Sequence, residues 1–103
     1  MDDDAAQLNT VTTFEGSAAV VAVVGELDAA TCEILTNAAH DAVARGAARL
    51  ILDLSAVDFM DSSGISALIA ARSIAPIALR QPSPAVEQLI GLTGLTDVLA
   101  IEP

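Results

Sequence analysis

The feature that most constrains the fold of this chain is an apolar run that leads directly into an amphipathic segment, within residues 50–73. Residues 50–54 are apolar except for Asp53, which is the pattern of a buried strand. Downstream, four residues recur at the three- and four-residue spacing of one helix face: Ile65, Leu68, Ile69 and Arg72. A strand that leads into a helix through a short acidic loop is therefore predicted.

The predicted loop ends in two serines and a glycine at the point where the helix begins. Ser62 or Ser63 is expected to be the N-cap, because a hydroxyl at that position accepts a hydrogen bond from a free amide of the first turn. Only one of them can cap the helix, so the other is free to face solvent or a partner. Gly64 is expected to let the backbone turn tightly.

Further strands and helices are predicted to alternate along the chain. A first strand is expected at about residues 9–14 and a second, buried on both faces, at residues 18–24, and the short connection through Gly16 suits an antiparallel hairpin. A helix capped by Asp28 or Thr31 follows, and Gly46 is expected to end it in a left-handed conformation.

The last third of the chain is predicted to hold two short strands and one helix. Residues 77–80 form a strand, Ser83 and Pro84 open a helix that closes at Gly94, and residues 98–101 form a final strand. The alternation predicts an α/β fold, with one mixed, mostly parallel sheet of about five strands, an antiparallel N-terminal hairpin and three helices. Functional groups in such sheets gather beyond the carboxyl ends of the strands, where Asp28 and Ser62 are both expected.

The charge of the chain limits its partners. A net charge of −10, without any lysine, repels phosphate backbones and anionic membrane surfaces, and an aromatic content of 2% leaves little for base stacking. We expect protein partners, and neither nucleic acid nor membrane. Residues 1–7 are expected to be a flexible acidic leader to a single domain that spans residues 1–103 of a cytoplasmic protein, in which Cys32 has no disulfide partner.

Several chemistries lack the residues that they need, and no enzyme, cofactor or metal is predicted. A serine hydrolase requires a base beside its nucleophile, but His40, the one histidine, is expected late on the polar side of the first helix. Asp58 and Asp61 could ligate a cation, yet neither a calcium-loop spacing nor a His/Cys cluster accompanies them. The absence of lysine also argues against a phospho-aspartate receiver domain and a nucleotide-binding loop.

A phosphoacceptor serine on a recognition surface is the remaining functional interpretation. A helix N-terminus tolerates a phosphate, which would add about −1.5 to −2 charges beside Asp61, and near Asp58 and Asp28 if the loops meet. A partner fitted to the unmodified loop would be repelled. Local chemistry alone favours the simpler alternative, in which both serines only cap the helix.

Several segments resemble the STAS family, the domain of sulfate transporters and anti-sigma factor antagonists, and in particular the stand-alone bacterial antagonists. The resemblance covers about residues 9–101 and rests on residues 25–28, 58–64, 82–86 and 92–95. It implies that Ser62, directly after the loop aspartate, is phosphorylated by a serine kinase that is itself the anti-sigma factor. The unphosphorylated protein would bind that kinase and free a sigma factor, and a phosphatase would reset the phosphorylated form. Asp28 matches an acidic family residue near the phosphoacceptor.

The resemblance also implies a partner surface and two departures from the family. The exposed side of the second helix, with Ser66, Ala67 and Ala70, is expected to contact the partner closely. The second helix region is short, and the usual C-terminal helix is expected to be missing after Pro103. The apolar surface left exposed predicts weak homodimerisation or an unusual partner interface. A second hypothesis is a STAS interaction module of another assembly, in lipid transport or stress signalling, whose partner is not a kinase.

Overall fold

The structure is a computed structural model that describes residues 8–95 and 99–102. Its elements in chain order are β1 (Leu8–Glu15), β2 (Ala18–Leu27), α1 (Cys32–Ala44), β3 (Arg49–Met60), α2 (Ser62–Ile74), β4 (Ile77–Arg80) and α3 (Pro84–Thr93). The leader expected at residues 1–7 and the start of the last expected strand, at residue 98, lie outside the described residues.

The strands form one sheet in the order β1-β2-β3-β4. β1 and β2 are an antiparallel hairpin, whereas β2 with β3 and β3 with β4 are parallel. The predicted α/β class, N-terminal hairpin and three helices are therefore confirmed. The sheet has four strands rather than about five, because the described part of the last expected strand makes only a single parallel bridge, between Ile101 and Leu79.

All three helices pack on the same face of the sheet. Inward residues of β2 and β3, such as Val21 and Leu52, share one apolar cluster with Leu35 of α1, Leu68 of α2 and Ile90 of α3. The opposite face carries only a small buried cluster. The strand alternation thus gives the protein one helix-covered face and one open face.

β3 is longer than the sequence pattern predicted, and this corrects the expected loop at residues 55–60. β2 also continues to Leu27, so four of these six residues have partners on the neighbouring strand: Ala56, Val57, Phe59 and Met60. The ladder shifts register between Ala22 and Val24 and again between Gly25 and Glu26, and each shift leaves one extra residue on β3. Such bulges disturb the two-residue alternation, which is why this part of the strand resembled a loop.

Burial along β2 and the predicted inward face of α2 follows the predictions except at Val24 and Ile69. Ala18 to Val21 are buried on both faces as expected, but Val24 is 45% exposed because no helix covers the open face there. Ile69 was predicted on the inward side of α2 and is 39% exposed, whereas Leu68 fills the core. Within the residues that the structure describes, no helix has the length and apolarity needed to cross a membrane.

The helix ends at Gly46 and Gly94 and the start of α3 agree with the predicted signals. Gly46 and Gly94 follow α1 and α3 with φ values of 104° and 73°, so the left-handed conformation predicted for Gly46 and the helix end predicted at Gly94 are confirmed. β4 occupies the predicted residues 77–80, and Pro84 opens α3 as expected. Ser83 takes the N-cap position of α3, but its hydroxyl donates to the carbonyl of Val57 at 2.8 Å and so ties the helix to β3.

Candidate functional site

The loops after β2 and β3 meet at the carboxyl edge of the sheet. Leu27 pairs with Met60, so the two strands end at the same level and Asp28 and Asp61 follow directly. The backbone amide of Asp61 donates to the carbonyl of Leu27 at 3.4 Å. The predicted meeting of the Asp28 and Ser62 regions is therefore confirmed at the level of the backbone.

Asp61 is the N-cap of α2, which corrects the prediction that a serine caps this helix. Its Oδ1 accepts hydrogen bonds from the amides of Ser63 at 2.9 Å and Gly64 at 3.3 Å. The extension of β3 to Met60 places Asp61 in the extended cap conformation, with φ −120° and ψ −167°. A carboxylate at this position also interacts favourably with the positive end of the helix dipole.

The two serines are consequently inside the helix rather than before it. Ser62 is the first residue of α2 and is exposed, whereas Ser63 is half-buried. Among the described residues, neither hydroxyl takes part in a hydrogen bond, and only the backbone amide of Ser63 is engaged by Asp61. Both hydroxyls are thus released from capping, and that of Ser62 is open to solvent.

Gly64 allows close packing of α2 against the ends of β2 and β3, and it does not form the predicted tight turn. It lies within α2 and is buried. A Cβ at this position would lie 2.8 Å from the carbonyl oxygen of Leu27 and would collide with the side chain of Met60. Glycine therefore allows the first turn of α2 to rest on the ends of β2 and β3.

The loop after β2 is held by a buried hydroxyl that the sequence interpretation treated only as a candidate cap. Thr31 is 1% exposed, donates to the carbonyl of Glu26 at 2.7 Å and accepts from the amide of Asp28 at 3.0 Å. The Asp28 carboxylate in turn accepts from the amides of Ala30 at 3.0 Å and Thr31 at 3.2 Å. The spacing of Asp28 and Thr31 could have indicated this turn, since both side-chain types bond to nearby backbone.

The remaining predicted site residues divide between surface and core. Asp58 is exposed and unpaired in the β2–β3 ladder, at the second bulge of β3. Ser66 is exposed one turn after Ser62. Ala67 is 4% exposed and packs in the core, so its expected contact with a partner is wrong. The exposed Ile69 takes its place on the outer side of α2.

The residues needed for other chemistries are not gathered here. α1 starts at the carboxyl edge and runs back along the sheet, so His40, eight residues after its start, is displaced about 12 Å along the helix axis. No group of three or more His, Cys, Asp or Glu side chains converges as a metal site within residues 8–95 and 99–102. An open cleft of about 670 Å³ lies at the far end of α2, between Arg72 and Ala100, away from the loops that follow β2 and β3.

Comparisons with known proteins give one family match and several similar solved structures. The family described as "Mlab, STAS domain" matches residues 10–101. An anti-sigma factor antagonist from Mycobacterium paratuberculosis is 31% identical, with a TM-score of 0.82, and the match covers 93% of this chain and 86% of that chain. The unphosphorylated anti-sigma factor antagonist SpoIIAA is 24% identical, with a TM-score of 0.71 and coverage of 92% and 89%. Bacillus SpoIIAA in its phosphorylated form is 22% identical, with a TM-score of 0.67 and coverage of 92% for both chains.

Proposed function

Since the chain belongs to the STAS family, as the sequence resemblance implied, we propose that it is an anti-sigma factor antagonist switched by phosphorylation of Ser62. In its unphosphorylated form it binds an anti-sigma factor that is also a serine kinase, and a sigma factor is thereby released. Phosphorylation of Ser62 ends this binding until a phosphatase restores the hydroxyl. The role is regulatory and requires no catalytic residue in this chain.

The observation that carries the proposal is that Asp61 caps α2, which leaves the exposed Ser62 without a capping role. Asp61 caps α2, so the Ser62 hydroxyl is not needed for helix stability and can be modified without loss of the cap. Ser62 is exposed and so accessible to a kinase, whereas Ser63 is half-buried. Accessibility therefore favours Ser62 over its neighbour.

The surrounding charges explain how one phosphate can act as a switch. A phosphate brings about −1.5 to −2 charges to the first turn of α2, where the helix dipole partly offsets them and keeps the fold intact. The same charge adds to the carboxylates of Asp28, Asp58 and Asp61, so the surface becomes strongly repulsive to a partner fitted to a neutral serine. A hundredfold loss of affinity corresponds to only about 2.8 kcal/mol.

The outer side of α2 supplies the contact surface in this proposal. Ser62, Ser66 and Ile69 follow the four- and three-residue spacing of one helix face, and all are exposed. The two serines are small enough to allow close approach, and Ile69 offers an apolar anchor. A partner helix or loop can therefore pack against this face next to the phosphoacceptor.

The proposal is tested by incubating the protein with candidate anti-sigma kinases and ATP and mapping phosphate by mass spectrometry. Label is expected in the wild type, in Ser63→Ala and in the matched control Ser73→Ala, which changes an exposed serine near the other end of α2. Label is expected to be absent from Ser62→Ala. Label that persists in Ser62→Ala and disappears in Ser63→Ala would contradict the assignment. Titration calorimetry of Ser62→Asp against the same kinase should show weaker binding than the wild type.

A second candidate follows from the family description, which names Mlab rather than an anti-sigma factor antagonist. In this alternative the chain is a STAS interaction module of a lipid-transport or stress-signalling assembly, and its partner is not a kinase. The two candidates differ in one measurement. A partner that binds through the outer side of α2, but neither phosphorylates Ser62 nor loses affinity for Ser62→Asp, would favour the second.

A further inference from the structure

The two edges of the sheet are treated differently. At the β4 edge, the amide of Leu79 donates to the carbonyl of Ala100 at 2.8 Å, and the amide of Glu102 donates to the carbonyl of Leu79 at 2.7 Å. Arg80 fastens this segment through its Nε, which lies 2.6 Å from Oε1 of Glu102. At the β1 edge, no residue within 8–95 or 99–102 pairs with the outer side of the strand. Among the described residues, one edge is therefore covered and the other has no partner strand.

β1 lacks the features by which natural proteins protect an exposed edge. It pairs with β2 over eight residues without a register shift, and it contains no proline and no lysine. Its only charge is Glu15, at its end, and Val11 in its middle is 60% exposed. A long, regular edge with a single charge at its end is a ready template for another strand.

We propose that β1 pairs with β1 of a second copy of this chain, antiparallel and centred on Val11, so that two sheets join into one. The alternation of β1 sends Leu8, Thr10, Thr12 and Phe14 toward the helices and the intervening residues toward the open face, as their partners on β2 require. A twofold axis at Val11 then opposes like with like across residues 8–14: Leu8 with Phe14, Asn9 with Thr13, Thr10 with Thr12, and Val11 with itself.

The sequence of β1 is self-complementary in the register centred on Val11, which argues for a second copy of this chain as the partner. In other registers of the same pairing, the opposed side chains match less well. A shift by one residue would oppose side chains that point to different faces of the sheet. A shift to a centre on Thr12 would oppose Asn9 with Glu15 and Thr10 with Phe14, and would leave Leu8 opposite Gly16. Only the register centred on Val11 buries the exposed parts of Val11 and Phe14 against apolar partners.

The charge distribution sets the salt dependence of this contact. Each copy carries a net charge of −10, but residues 8–14 are uncharged, so repulsion comes from the rest of the molecule rather than from the pairing strands. Dimerisation should therefore strengthen as salt screens the repulsion. Binding of a cationic partner at the same edge would weaken instead. The contact goes beyond the proposed switch and does not involve Ser62, so Ser62→Ala should dimerise like the wild type.

Sedimentation of the full chain over a range of concentrations, at about 0.05 M and about 0.5 M sodium chloride, tests the proposal. The wild type should dimerise more strongly at the higher salt. Val11→Glu places two like charges opposite each other and should raise the dissociation constant by about tenfold or more. Val24→Glu is the matched control, because Val24 is 45% exposed on the same open face but lies on β2. Circular dichroism checks that both variants are folded.

Cross-linking provides a second readout that depends on the register. In a Cys32→Ser background, Val11→Cys should form a covalent dimer on mild oxidation, since residues directly opposite in an antiparallel pair have Cα atoms about 4.5–5.5 Å apart. Val24→Cys should remain uncross-linked. The proposal is overturned if the folded wild type stays monomeric at every protein and salt concentration, or if the two cysteine variants cross-link equally. It is also overturned if both glutamate variants lose the dimer, because that result would indicate that the open faces of two sheets stack on each other.

Discussion

Asp61 determines how α2 starts, because its carboxylate accepts from the amides of Ser63 and Gly64. Replacing Asp61 by alanine should lower the free energy of unfolding by about 0.5–2 kcal/mol through loss of this cap. Ser62→Ala and Ser63→Ala should leave the free energy of unfolding nearly unchanged, since neither hydroxyl caps the helix. Urea denaturation of the three variants measures this, and an equal loss in Ser62→Ala would show that the serine shares the capping role.

Gly64 is the residue at which the site is most sensitive to added volume. Gly64→Ala should destabilise the protein by about 1–3 kcal/mol, because the new methyl group meets the Leu27 carbonyl and the Met60 side chain. Gly91 is the matched control, since it is also helical and a Cβ there meets nothing within 4 Å. Gly91→Ala should be neutral or stabilising by up to about 1 kcal/mol. Thermal and urea unfolding of both variants decide the point.

At the scale of elements, the two bulges of β3 position the site. Each bulge adds one residue to β3 relative to β2, so β3 ends level with Leu27 even though it is the longer strand. Asp58 lies at the second bulge, where it has no ladder partner and is exposed. The exposure of Asp58 therefore depends on strand irregularity, whereas the position of Asp61 depends on the start of α2.

The segment at residues 99–102 is held to β4 by a contact that depends on pH. The hydrogen bond and charge of Arg80 lower the pKa of Glu102 below its ordinary value of 4.5. Because the folded-state pKa is the lower one, the contribution of this contact is present above pH 4.5 and is lost as the pH falls through the lowered pKa.

This linkage is checked by following the Glu102 carboxyl through an NMR titration. In Arg80→Gln, the pKa of Glu102 should rise towards its ordinary value. The amide of Glu102 should exchange faster with solvent, because residues 99–102 are then held less firmly to β4. Arg45→Gln removes the same charge from a pair exposed at the end of α1 and should change neither quantity. An unshifted Glu102 pKa in Arg80→Gln would contradict the proposed cause.

At the scale of the whole molecule, the one-sided helix layer separates two surfaces. The Ser62 surface lies at the carboxyl edge, where β2 and β3 end and α2 begins. The β1 edge lies at the side of the sheet and carries no group of that surface. The proposed phosphorylation and the proposed self-association should therefore be separable by mutation, and the variants proposed for each surface serve as controls for the other.

The sequence by itself determined the α/β class, the hairpin, the glycine caps, β4 and the proximity of Asp28 to Ser62, because each depends on local propensity or on strand order. Only the tertiary structure decided that β3 runs to Met60, since its bulged half is stabilised by pairing with β2 and has no clear alternation of its own. Because β3 extends to Met60, the N-cap of α2 is Asp61 and not one of the two serines. The tertiary structure also decided the burial of Ala67 and the need for glycine at position 64. Small apolar residues occur both on the surface and in the core, so their burial depends on whether a neighbouring element covers them.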